Sequence, residues 1–258
     1  MSIEMTFNKY MDNPSSGTST FTNRSMYREM YKNKFDILLV KEQGRILYKI
    51  YKTGNGTDSY FIHFKIPSEK TPNLYYDVVI ELWTKKNELK SSASLRMYNV
   101  RFYSNDQAFI FAFAYAFNKN GLFIKELKDK MNKTALTVVA EQRNPKSEIW
   151  YVKSLCFAFF AMEKYGLFSR PMLNQHALKY NHSEFLKAIM HSDDKIEEYK
   201  KIQSEIRANA IKEKREKQRQ QNMLSKQKFL VKTTQEVSKS KSSKYVSKAK
   251  TTSKIKRK

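Results

Sequence analysis

The chain of 258 residues holds one cysteine, Cys156, so it can form no internal disulfide and no cysteine-based metal site. Cys156 sits inside "SLCFAFFAM" and reads as a small buried thiol. Glycine is scarce as well, at six residues. The one clustered pair, in "KTGNGTD", lacks the following Lys-Ser/Thr of a phosphate loop and reads as a hairpin turn. No Gly-x-Ser-x-Gly elbow occurs, and no repeat of 20 to 50 residues. Long apolar runs are missing too. Phe109 to Phe117 is the longest, and "SLCFAFFAM" is no longer; both fall well short of the roughly 20 residues that a membrane-spanning helix needs. The opening residues show no basic-then-apolar leader pattern, so neither a leader nor a membrane partner is expected.

Candidate chemistry is correspondingly thin. Of the four histidines, His63 lies in the strand-like "FIHFKI", while His176, His182 and His191 lack the i, i+4 spacing of helix-borne metal ligands. Asp77 and Glu81 fall on one strand face and could serve a metal-dependent nuclease, but Trp83 stands where a Glu-x-Lys unit needs its lysine. A solvated sheet face is the plainer reading of these two acids. No catalytic residue, metal ligand or cofactor is assigned, and the expectation is a protein that is not an enzyme.

What the chain does have is aromatic mass and positive charge. Phenylalanine (17) and tyrosine (16) supply a core, and the formal net charge is +24. From Phe35 to Tyr103, the segments "FDILLV", "RILYKIY", "YFIHFKI", "LYYDVVIELW" and "SLRMYNVRFY" alternate with turn-rich separators and predict an antiparallel sheet. Tyr76, Val78, Ile80 and Leu82 share one face, and Tyr75, Asp77, Val79 and Glu81 the other, so one face should be dry and one amphipathic.

The period then changes. Ser104 to Gln107 predicts a capping box, and Asn120-Gly121 the end of a buried helix. Phe109, Phe111, Phe113, Tyr115 and Phe117 are expected in the core with Trp150, Phe157 and Phe160. Further helices are expected over about 122–131 and 149–164. The fold class is thus α+β: an antiparallel sheet packed by two or three helices, followed by a basic helical extension and a flexible tail. The expected divisions are an N-terminal arm with a short helix (1–34), a globular domain (35–168), a helical extension (169–223) and a basic low-complexity tail (224–258).

Charge is concentrated at the C-terminus. Residues 195–258 carry 21 Lys and Arg against six Glu, and residues 237–258 have nine cations and no acid. Those nine, Lys239, Lys241, Lys244, Lys248, Lys250, Lys254, Lys256, Arg257 and Lys258, are the candidate nucleic-acid contacts, made to phosphates without reading bases.

The segments "RSMYREMYKNKFDILLVKEQGRILYKIYK", "YYDVVIELW", "YNVRFYSNDQAFIFAFAYAFNK" and "RNPKSEIWYVKSLCFAFF" resemble a family of small structural proteins of large tailed phages that infect low-GC bacteria. The resemblance spans roughly residues 22–168, excludes the basic tail and transfers no active site. It implies a virion protein, in the host cytoplasm before assembly, that is oligomeric within the particle and partnered by other virion proteins. Its basic tail would touch packaged DNA or an acidic neighbouring subunit. An intracellular nonspecific nucleic-acid-binding accessory protein is the alternative, and a divergent metal-dependent nuclease the second.

Overall fold

The computed structural model describes residues 4–12, 21–53, 59–84 and 94–252, with side chains described for 4–11, 28–53, 59–84 and 94–225. The chain divides into two compact units, Met1–Lys201 and Ile202–Lys258.

The first unit is built on one five-stranded sheet in the order β4-β3-β2-β1-β5. Strands β1 (Leu47–Lys52), β2 (Tyr60–Pro67), β3 (Tyr75–Trp83) and β4 (Asn99–Ser104) form an antiparallel meander, and the two-residue β5 (Leu178–Lys179) runs parallel to β1. The predicted alternation holds. Ile62, Phe64, Val78, Ile80, Leu82, Val100 and Phe102 are all buried on the dry face, beneath helix α5 (Lys153–Lys164). The other face carries Phe61, His63, Lys65, Asp77, Glu81, Arg101 and Tyr103 in register. It is covered as well, with Phe185 of the short helix α7 (His182–Ala188) lying 4.9 Å from Phe61, ring to ring.

Several expectations are corrected. "FDILLV" is not a strand; it closes the helix α2 (Phe21–Lys41), so the division expected at residue 34 falls inside a continuous helix. A short apolar run is equally at home in either element, and packing decides. Phe35, Leu38 and Leu39 recur at i, i+3 and i+4 and are buried, with the Phe35 ring 5.7 Å from both Phe157 and Phe160. The helix ends where Gln43 and Gly44 take left-handed φ of 53° and 78°, and the Gly44 N–H returns to the Leu39 carbonyl.

Nor is the whole N-terminal segment a detached arm. Met5, Phe7, Tyr10 and Met11 are buried, the last three on helix α1 (Phe7–Asp12). Val100 N–H donates to the Met5 carbonyl at 2.8 Å, and Phe102 pairs with residues 122 and 124 on the same side, so the outer edge of β4 is covered. Covering an edge in this way removes a template for unwanted strand pairing.

The helix over 107–119 is capped by Asp106, not Ser104: Asp106 Oδ1 accepts from Phe109 N–H at 2.9 Å, and Ser104 Oγ accepts from Asp106 N–H at 3.2 Å. Its middle, Phe109–Phe113, is a π-helical turn that leads into α3 (Ala114–Lys119). Phe109 and Phe117 are buried as expected, as are Phe157 and Phe160. Phe113, Tyr115 and Trp150 are half-buried, and Phe111 is 47% exposed. Residues spaced by two turn through about 200° on a helix, so this series cannot share one buried face. The expected helix over 122–131 is a 3-10 helix (Lys125–Lys130), and α4 (Lys133–Thr137) follows it. The third expected helix begins at Lys153 rather than near Ile149.

Beyond α6 (Arg170–His176), β5 and α7, the helix α8 runs from Ser192 to Thr252, into the segment whose composition reads as a flexible tail. Across α8 the chain has neither glycine nor proline, so the two strongest helix breakers are missing from it. Asp193 and Asp194 in its first turn suit the helix dipole. No helix among the described residues is long and apolar enough to cross a membrane.

Phe102 sits at the centre of the aromatic core, with rings of Tyr10, Phe117 and Phe159 at 4.9, 5.5 and 5.7 Å. Phe102→Ala is expected to cost about 3–5 kcal/mol, whereas Phe111→Ala should cost less than about 1 kcal/mol. Chemical denaturation of the two variants checks this contrast.

Candidate functional site

Two places concentrate polar chemistry: the amphipathic face of the sheet and the helix α8. On the sheet, Lys65 and Asp77 are direct cross-strand partners, and His63 is diagonal to Asp77. Asp77 is wholly buried. Its Oδ1 meets His63 Nε2 at 2.7 Å and pairs with Lys65 Nζ, while its Oδ2 accepts from Asn105 Nδ2 at 3.0 Å and Met190 N–H at 3.1 Å. Burial alone would raise the Asp77 pKa, but the hydrogen bonds and charges of His63 and Lys65 outweigh it and lower the pKa to about 2. Each lone pair in use is committed to a partner within the fold, an arrangement that fixes β2, β3, Asn105 and the entry to α8 to one another.

Glu81 lies four residues further along β3 on the same face and is also buried, contrary to the solvated face expected for it and for Asp77. Arg101, its direct cross-strand partner on β4, donates from Nη1 at 3.1 and 3.2 Å. The guanidinium also lies 4.2 Å from the Trp83 ring, a cation–π contact. Burial nevertheless dominates: it raises the Glu81 pKa to about 6 against the pull of Arg101, and Glu126 adds to the rise. The Trp83 indole N–H and the Arg101 Nε–H are buried and find no acceptor among the described residues.

The other histidines serve local structure. His182 Nδ1 lies 2.9 Å from the Tyr180 hydroxyl, and His191 Nδ1 accepts from Asp193 N–H at 3.2 Å. His176 closes α6. Among the described residues, no three His, Cys, Asp or Glu side chains gather as a metal site. The Cys156 thiol is buried, and burial pushes its pKa well up, away from reactivity.

Of the candidate nucleic-acid contacts, Lys239, Lys241, Lys244, Lys248 and Lys250 stand on the helical backbone of α8. Lys254, Lys256, Arg257 and Lys258 lie outside the described residues. The charge along this helix is graded. Residues 192–225 carry nine Lys and Arg against seven Asp and Glu, whereas 226–258 carry twelve against one. Acids in the first part are drawn into local pairs such as Glu197–Lys200 at 2.6 Å. Ile206, Ile211, Met223 and Leu224 are exposed on this helix. Composition alone located the charge; the extent of the helix carrying it was the missing part, and the absence of glycine and proline was its signal.

The chain finds no match among protein-family models, curated proteins or solved structures.

Asp77 and Glu81 predict opposite pH effects. Asp77 titrates lower in the folded than in the unfolded chain, so its contribution is complete above about pH 4 and is lost as pH falls through about 2. Asp77→Asn should flatten that acid limb and lower stability at neutral pH by about 3–5 kcal/mol. Glu81 titrates higher when folded, so its contribution to stability falls as pH rises from 4.5 to about 6. Glu81→Gln should remove that fall. Thermal midpoints of the three proteins from pH 2 to 8 check both signs.

Proposed function

We propose that the protein is a non-enzymatic structural component of a phage particle, and that its C-terminal basic helix contacts packaged DNA. The observation that carries the DNA contact is the charge gradient along α8, nearly balanced in its first part and almost purely cationic after residue 225. A helix holds its cations at a fixed rise of about 1.5 Å per residue, so the cationic stretch from Lys226 to Thr252 corresponds to about 40 Å of rod. Such a rod suits a polyanion of regular spacing. Lysine predominates, and its ammonium acts as a point charge that meets phosphates without discriminating bases. Binding is therefore sequence-independent and driven by counterion release.

The resemblance of residues 22–168 to tailed-phage structural proteins supplies the setting. A binding role rather than a chemical one is supported by the sheet acids, because Asp77 and Glu81 are tied to His63, Lys65 and Arg101 instead of facing an open site.

The test compares the full chain with a variant in which the nine cations from Lys239 to Lys258 are replaced by glutamine, on duplexes of unrelated sequence. Each phosphate contact contributes about −0.9 to the slope of log affinity against log salt, so about five contacts predict roughly 20-fold weaker binding when salt doubles. The variant should lose most of this binding and most of the salt dependence. Equal binding by the two proteins would move the footprint onto the folded body. Binding by neither, with the chain present in purified particles, would make an acidic neighbouring subunit the target of the helix. Mass spectrometry of those particles tests the virion setting, and absence from them would favour the accessory nucleic-acid-binding role.

A further inference from the structure

The helix over 107–119 sends Phe109 and Phe117 into the aromatic core, yet Phe111 leaves that core at the π-helical turn Phe109–Phe113 and is 47% exposed. A π-helical turn is rare within a helix and recurs at functional sites. Phe111 here forms one wall of a half-open cleft of about 400 Å³. Tyr115, Ala135, Val138, Val139 and Ile196 complete much of its lining, and Val138 is 56% exposed. The volume lies within the range of small-ligand sites, about 300–1,000 Å³, which are lined mainly by apolar and aromatic side chains.

Both aromatic walls carry a cation. The Arg143 guanidinium lies 5.8 Å from the Phe111 ring centroid, and Lys119 Nζ lies 5.8 Å from that of Tyr115. Neither cation forms an ion pair among the described residues. Asn132, at the polar end of the cleft, is already committed: its Nδ2 donates to Asp193 Oδ1 at 3.0 Å and its Oδ1 accepts from Thr134 N–H at 2.9 Å. Arg143 and Lys119 thus stand beside the cleft as cations without an acidic partner among the described residues, and its lining is apolar apart from Asn132 and Thr134.

We propose that this cleft binds a free medium-chain aliphatic carboxylate, its chain lying between Phe111, Val138 and Ile196 and its carboxylate reaching Arg143, with Lys119 as the second cation. A second copy of the chain fits less well. The apolar surface left open by Phe111 and Val138 is a few side chains wide, well below the roughly 800 Å² per partner that a stable protein interface buries. The inference is independent of the DNA reading, because none of these residues lies on the cationic stretch of α8.

Calorimetric titration of the full-length protein with decanoate, below the concentration at which it aggregates, should show one saturable site per chain. Val138→Asp places a charge in the cleft from an exposed position, so it should abolish binding while leaving the thermal midpoint near that of the parent. Arg143→Gln should weaken decanoate by roughly threefold to fivefold, the range of an exposed ion pair, and leave the uncharged decanol unaffected. The glutamine variant of the C-terminal cations should bind decanoate as the parent does. No saturable binding at millimolar decanoate overturns the proposal, as does unchanged binding by Val138→Asp or by Arg143→Gln. Loss of binding in the C-terminal variant alone overturns it too, by assigning the heat to the basic helix. So does a parent that is dimeric and becomes monomeric through Val138→Asp, because a second copy then fills the cleft.

Discussion

One carboxylate without access to water, Asp77, ties together parts of the chain that are far apart in sequence. Through its two oxygens it holds His63 and Lys65 of the neighbouring strand, the Asn105 amide beyond β4 and the Met190 backbone ahead of α8. An ion buried this deeply is tolerated only when its partners satisfy it, and removing one partner leaves an uncompensated charge. The amphipathic face of the sheet therefore depends on the C-terminal segment for its completion. The dry face is filled chiefly by ring packing among Tyr10, Phe102, Phe117 and Phe159. The two faces are held mainly by different physics.

Much of this fold was legible in the sequence because it follows from period. Strands β2 and β3 show two-residue alternation, and the side chains divide between the faces as that alternation requires. Local composition failed where packing at a distance decided the outcome. "FDILLV" suits either element by propensity, and its place in α2 depends on Phe157 and Phe160, more than a hundred residues later. Asp106 displaced Ser104 as the cap because β4 runs through Ser104, leaving the hydroxyl to brace the turn instead. The partners of Asp77 were out of reach for the same reason. Met190 contributes a backbone N–H, which no side-chain pattern encodes.

The candidate functional features divide along the same line. A cationic C-terminus is a property of composition and needs no fold to be recognised. The cleft beside Phe111 is drawn from the 107–119 helix, the 132–140 segment and the first turns of α8, and each contributes residues that look like ordinary core or loop in isolation. Its most informative signal is a misfit: an aromatic residue in the most apolar run of the chain that does not go inside.

The burial of Met5, Phe7 and Tyr10 has a consequence for how the molecule is made. These residues are synthesised well before the partners they need: Met5 and Phe7 pair with Val100 and Tyr98, the Tyr10 hydroxyl donates to the Trp150 carbonyl at 2.8 Å, and Phe7 packs on Phe168. Contacts this distant in sequence make folding slow, because the loops they close must be ordered before the contacts repay that ordering. The apolar N-terminal segment must therefore wait, unpaired, while most of the first unit is synthesised. A nascent chain stopped short of Phe168 leaves Phe7 without the ring it packs on.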